Sequence, residues 1–94
     1  MPTLTPAQID DPAKLQLALQ EMTFDSEPKP LGYVFTDGEH FYGHRVDEEI
    51  ILWRLTLVDG EYDDLRFVLL PESELAERSV LDMLLEACRD GAWE

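Results

Sequence analysis

The residues in this chain best placed to do chemistry are carboxylates, and they fall into two groups. The first belongs to two turn-forming stretches, Asp37-Gly38-Glu39 and Asp59-Gly60-Glu61-Tyr62-Asp63-Asp64. An antiparallel sheet would bring both stretches to one end, so Asp37, Glu39, Asp59, Glu61, Asp63 and Asp64 would share a rim. Such a rim suits recognition of a basic surface, although Asp and Gly are also what tight turns need for their own geometry. Calcium is the other chemistry these oxygens offer, since Asp59, Glu61 and Asp63 stand at alternate positions. The loop lacks the twelve-residue pattern and the closing bidentate Glu of an EF-hand.

The second group is Asp82, Glu86 and Asp90, four apart in a segment of helical periodicity. On a helix they line one face at steps of about 6 Å. Like charges at that spacing cost roughly 0.2–0.5 kcal/mol per pair, and only Arg78 and Arg89 are near enough in sequence to offset them. The face is either simply solvated or kept acidic for a partner. The net charge of −14 would match about 24 Å of duplex at one charge per ~1.7 Å of B-DNA axis. A DNA mimic is therefore the most specific form of the partner reading.

His40 and His44 share one face of an expected strand, and with Asp37 or Asp47 they offer imidazole and carboxylate to a metal. A third firm ligand is missing, so a small metal-dependent enzyme or sensor is the lowest of three alternatives. Polar positions at the margin of an aromatic core are the plainer account of both. Ser26, Ser73 and Ser79 lie in linker or cap contexts with no glycine-rich elbow, and there is no phosphate loop, dinucleotide fingerprint or internal repeat. The single cysteine, Cys88, excludes an internal disulfide and a cysteine-rich zinc site, and its apolar helical setting reads as a small buried hydrophobe. Together these features point away from an enzyme and imply no cofactor.

Charge is distributed along the whole chain, −3 over residues 1–30, −6 over 31–70 and −5 over 71–94. Such a surface repels phosphate, which penalises direct contact with nucleic acid or an anionic membrane and favours a basic protein partner. No apolar run approaches the ~20 residues of a membrane span. The start MPTLTPAQIDD has neither a basic n-region nor an apolar h-region, which makes the cytoplasm the expected location.

Positioning these groups requires a sheet. Residues 31–70 hold four β-branched and aromatic runs separated by acidic turn clusters. Asp37-Gly38 predicts a two-residue type I′ hairpin that pairs Phe35 with His40, Tyr33 with Tyr42 and Leu31 with His44. Asp47-Glu48-Glu49 turns into the longest run, Ile50 to Val58. Alternation sets Ile51, Trp53, Leu55 and Leu57 on the core face opposite Leu69, Phe67 and Leu65, which requires an odd-numbered loop with Gly60 left-handed. Thr5-Pro6-Ala7-Gln8 predicts a helical turn at 6–10, and Asp11-Pro12 opens a helix over about 12–22 with the stripe Leu15, Ala18, Leu19, Met22. Thr23 to Pro30 reads as a linker. Pro71-Glu72 and the capping box at Ser79 predict a short helix at 72–78 and a second at 80–89, ended by Gly91, with Trp93 folding back or reaching a partner.

The expected fold is thus one α+β domain over 1–94, ordered α-β-β-β-β-α, a four-stranded antiparallel meander with the helices mainly on one face. The other face would then expose Val34, Phe41, Leu52, Arg54, Thr56, Arg66, Val68 and Leu70, a mixture that suits an interface. The competing expectation is a helix crossing to that face, which would make these residues a second core layer. The leading functional expectation is non-catalytic protein binding: a small acidic inhibitor, immunity or adaptor protein that presents carboxylates to a basic surface. Its main alternative is a structural or regulatory homodimer whose acidity serves only solubility.

Overall fold

A computed structural model describes residues 3–23 and 32–93, the side chains of Met22, Thr23 and Asp47 excepted. Five strands and two helices follow in the order β1 (Thr5–Pro6), α1 (Pro12–Thr23), β2 (Phe35–Thr36), β3 (His40–Asp47), β4 (Glu49–Val58), β5 (Glu61–Pro71) and α2 (Val80–Asp90). A short 3₁₀ helix, Glu72–Ala76, leads into α2. The strands form one antiparallel sheet in sequence order. The α+β class stands, with a fifth strand added to the expected meander. Thr5-Pro6, read as the start of a helical turn, instead pairs with Thr36 and Phe35, and Ala7 N donates to Val34 O at 2.8 Å. Proline is acceptable there because an edge strand can spare one N–H.

The helices form where their caps predict. Asp11 Oδ1 accepts from Lys14 N at 3.2 Å at the start of α1, and Ser79 Oγ accepts from Asp82 N at 3.2 Å at the start of α2. Gly91, left-handed at φ 67°, ends α2, with Ala92 N donating to Ala87 O. The expected 23–30 linker lies almost wholly outside the described residues, as do Leu31 and the Met22 side chain of the α1 stripe.

Two hydrophobic clusters occupy opposite faces of the sheet. Ile50 and Leu52 are fully buried with Met83, Leu84 and Ala87 of α2, and Val68 and Leu70 pack against them. Trp53 and Leu55, which alternation turns the other way, are buried with Leu15 of α1 and Val34. The expectation of helices mainly on one face is therefore corrected: α1 covers one face and α2 the other. A strand such as Ile50 to Leu57, apolar at nearly every position, is the pattern of a strand covered on both sides.

Register shows how the turns work. Ile51 pairs with Leu69 and Trp53 with Phe67, as alternation requires, but the loop is the two-residue turn Asp59-Gly60, with φ of 52° and 81°. The odd residue sits further along, where Leu55 faces both Asp64 and Leu65 in a bulge and Asp64 takes φ 54°. In the first hairpin Phe35 pairs with Tyr42, not His40, so the loop spans four residues, Asp37 to His40. The displacement is even, so Phe35 and Tyr42 keep their expected face.

Candidate partner-binding surface

The topology brings the β2–β3 and β4–β5 turns to one end of the sheet, so the six rim carboxylates do share that end. Their side chains differ in what they are free to do. Asp37 Oδ1 accepts from Glu39 N at 2.9 Å and His40 N at 2.8 Å, while its Oδ2 accepts from the Tyr42 hydroxyl at 2.8 Å. Partial burial pushes this carboxyl up, but those hydrogen bonds and the nearby His40 outweigh it and hold the pKa below the usual Asp range. Asp63 Oδ1 accepts from Asp64 N, and Glu61 lies 3.8 Å from Lys14 Nζ. Lys14 also donates to Gly60 O, which ties α1 to this turn. Asp64 lies between two arginines, 2.9 Å from Arg66 Nε and 3.5 Å from Arg54 Nη2. Glu39 is exposed with its carboxylate 4.0 Å from His40 Nε2, and Asp59 is exposed at the β4–β5 turn.

On α2, Asp82, Glu86 and Asp90 hold the expected spacing. Arg78 is turned onto both Glu74 and Glu86, and Asp90 lies 3.5 Å from Arg89 Nε. Glu86 and Asp90 also border a groove of about 180 Å³ between α2 and β5, floored by Leu52, Val68, Leu70, Met83 and Ala87. Sequence reasoning missed this groove because it depends on α2 crossing to the face of Leu52.

The residues expected on an open interface are placed differently. Leu52 is fully buried and Val34 nearly so, Val68 packs under α2, and Phe41 lies edge-on to Tyr62 at 5.8 Å. Arg54 is mostly buried and Arg66 half-exposed at the bulge. These residues form no single layer: Val34 and Phe41 belong to the α1 cluster, Leu52 and Val68 to the α2 cluster, because β3 pairs Gly43 with Trp53 and so turns Phe41 to the face of Leu55.

His40 and His44 share the α2 face of β3, as expected. His40 Nδ1 stands 2.8 Å from Thr56 Oγ1, and its ring meets Tyr42 edge-on at 6.2 Å. His44 Nδ1 is buried with no hydrogen-bond partner among the described residues, and burial pushes its pKa down. Among the described residues no three His, Cys, Asp or Glu side chains converge as metal ligands.

Beside His40 a cleft of about 230 Å³ gathers Asp37, Tyr42, Arg54, Cys88 and Trp93. Trp93 folds back, 4% exposed, with its indole 5.6 Å from the Tyr42 ring. Burial, together with the hydrogen bond to Asp37, drives the Tyr42 hydroxyl far up, so it stays protonated as a donor. The cleft is a packed junction of β3, β4 and the end of α2, with its carboxylate and hydroxyl spent on each other.

No protein-family model matches the chain, nor does any curated protein or solved structure. No helix among the described residues is long and apolar enough to cross a membrane.

Proposed function

We propose that this chain is a non-catalytic protein-binding module that presents carboxylates to the basic surface of a partner, in the manner of a small inhibitor, immunity or adaptor protein. The observation that carries the reading is where the cations go. Lys14, Arg54, Arg66, Arg78 and Arg89 each lie on carboxylates of their own chain. Asp59 on the rim and Asp82 on α2 remain exposed, as do Asp10, Glu72 and Glu77, within a chain of net charge −14. Charge left facing outward is negative, which steers basic partners and repels phosphate. Mimicry of DNA is the sharpest form of the proposal, with Asp82, Glu86 and Asp90 as the phosphate row.

The test is competition with DNA. Added to a complex of DNA with the partner enzyme, the protein displaces the DNA, and replacing Asp82, Glu86 and Asp90 by lysine abolishes displacement. Unchanged displacement by the triple variant would remove those residues from the account and leave the rim as the binding surface.

A further inference from the structure

β5 is the outer strand of the sheet, and among the described residues no backbone hydrogen bond reaches its far edge. Natural edge strands are protected by charge, proline or bulges, because an open edge invites another strand. β5 has such devices only towards its ends, the bulge at Asp64 and the proline at Pro71. The stretch between them, Leu65 to Leu70, carries the single charge of Arg66, which Asp64 neutralises.

The two faces of this edge differ in chemistry. On the α1 side Phe67 and Leu69 are 43% and 60% exposed, well beyond what the helix covers. On the α2 side Val68 and Leu70 open into the groove that Asp90, Glu86 and Arg78 border, the guanidinium lying on Glu86. A strand laid along β5 would meet apolar surface on one side and, on the other, an apolar floor whose rim of two carboxylates and one guanidinium is net negative. Strands alternate their side chains between faces, so the complementary sequence alternates apolar and basic residues.

We infer that the β5 edge docks an extended basic strand of the partner protein. Its apolar side chains rest on Phe67 and Leu69, and its lysine or arginine stems lie across Val68 and Leu70 with their cations toward Asp90, the groove carboxylate that Arg78 does not hold. This inference rests on the carboxylate-presentation reading and supplies its geometry. Charge selects the occupant: a second copy of the chain would bring a further net charge of −14 to the same edge, whereas a cationic strand is attracted to it.

The experiment uses the intact chain and a fluorescein-labelled peptide of about ten residues, the length of a long strand, alternating valine and arginine. A matched peptide, N-methylated at every second residue, keeps the charge but cannot pair along an edge. Fluorescence anisotropy at low salt is expected to show binding weakened about tenfold or more by methylation, through the lost backbone hydrogen bonds. Leu69→Lys, at an exposed position where the fold survives by circular dichroism, weakens the unmethylated peptide about tenfold through like-charge repulsion. Equal binding of both peptides would overturn the edge proposal and leave carboxylate presentation standing. No binding of either peptide would overturn both. A wild-type dimer in sedimentation that Leu69→Lys dissociates would assign the edge to a second copy and overturn the proposal.

Discussion

Trp53 lies across Gly43, its partner on the neighbouring strand, so closely that a Cβ on Gly43 would overlap the six-membered ring of the indole. Glycine at this strand position is thus the seat of the largest buried side chain on the α1 face. Gly43→Ala is expected to cost about 1–3 kcal/mol through forced repacking. In the background of Trp53→Leu the same change should cost markedly less, a coupling of at least about 0.5 kcal/mol in a double-mutant cycle by urea unfolding. Additive effects would show that the indole does not rest there.

Leu52 and Leu55 are both fully buried, one beneath α2 and the other beneath α1. Each substitution to alanine is expected to cost about 2–5 kcal/mol, since each leaves a cavity in its own core. A sheet covered on one face would lose stability at only one of the two positions. Near-neutral behaviour of Leu52→Ala in denaturant unfolding would contradict the two-layer core.

Arg54 and Arg66 stand directly opposite each other on β4 and β5, an arrangement that repels unless something lies between them. Asp64 is that group, and the bulge that turns it toward both arginines requires a left-handed backbone at φ 54°. Asp64→Ala removes the charge and strains the backbone, and should cost about 1–3 kcal/mol. Asp64→Asn tolerates the conformation better and should fall between wild type and alanine. If alanine and asparagine were equal to wild type by thermal unfolding, the bulge would not depend on this side chain.

His44 gives the fold a pH dependence with a defined sign. Burial depresses its pKa, so the folded chain resists a proton that the unfolded chain accepts near pH 6.5. Its contribution is full above that value and is lost as pH falls through the folded pKa. Across about pH 7.5 to 5.5, wild type should lose stability relative to His44→Leu in urea unfolding. The comparison between the two proteins matters, because protonation of the many carboxylates relieves repulsion in both. Parallel slopes would contradict a neutral His44 with a buried Nδ1.

What was legible in the sequence was local. Caps at Asp11 and Ser79 and the Gly91 stop are short-range chemistry, and they formed where the residues stand. Alternation alone paired Ile51 with Leu69 and Trp53 with Phe67. The first hairpin was displaced because Asp37 accepts two backbone N–H groups and the Tyr42 hydroxyl, a network that stretches the loop and that no dipeptide rule contains. The odd residue that alternation assigns to the loop lies instead in the bulge at Asp64, since both solutions restore the same alternation. The assignment of helices to faces was not legible at all: β4 is apolar on both sides, so its pattern could not say which helix covers which. The acidic rim was legible as a set of residues, while the edge and groove beside β5 emerged only once α2 had a place.

The claim that outward carboxylates hold a basic partner is tested most directly by capture from a cell lysate. Immobilised wild-type chain is set beside a variant with Asp59, Asp82, Glu86 and Asp90 changed to their amides. Wild type is expected to retain a basic protein at low salt and release it at high salt, where exposed charges are screened, and the variant to retain much less. Equal retention by both proteins, undiminished by salt, would contradict the account.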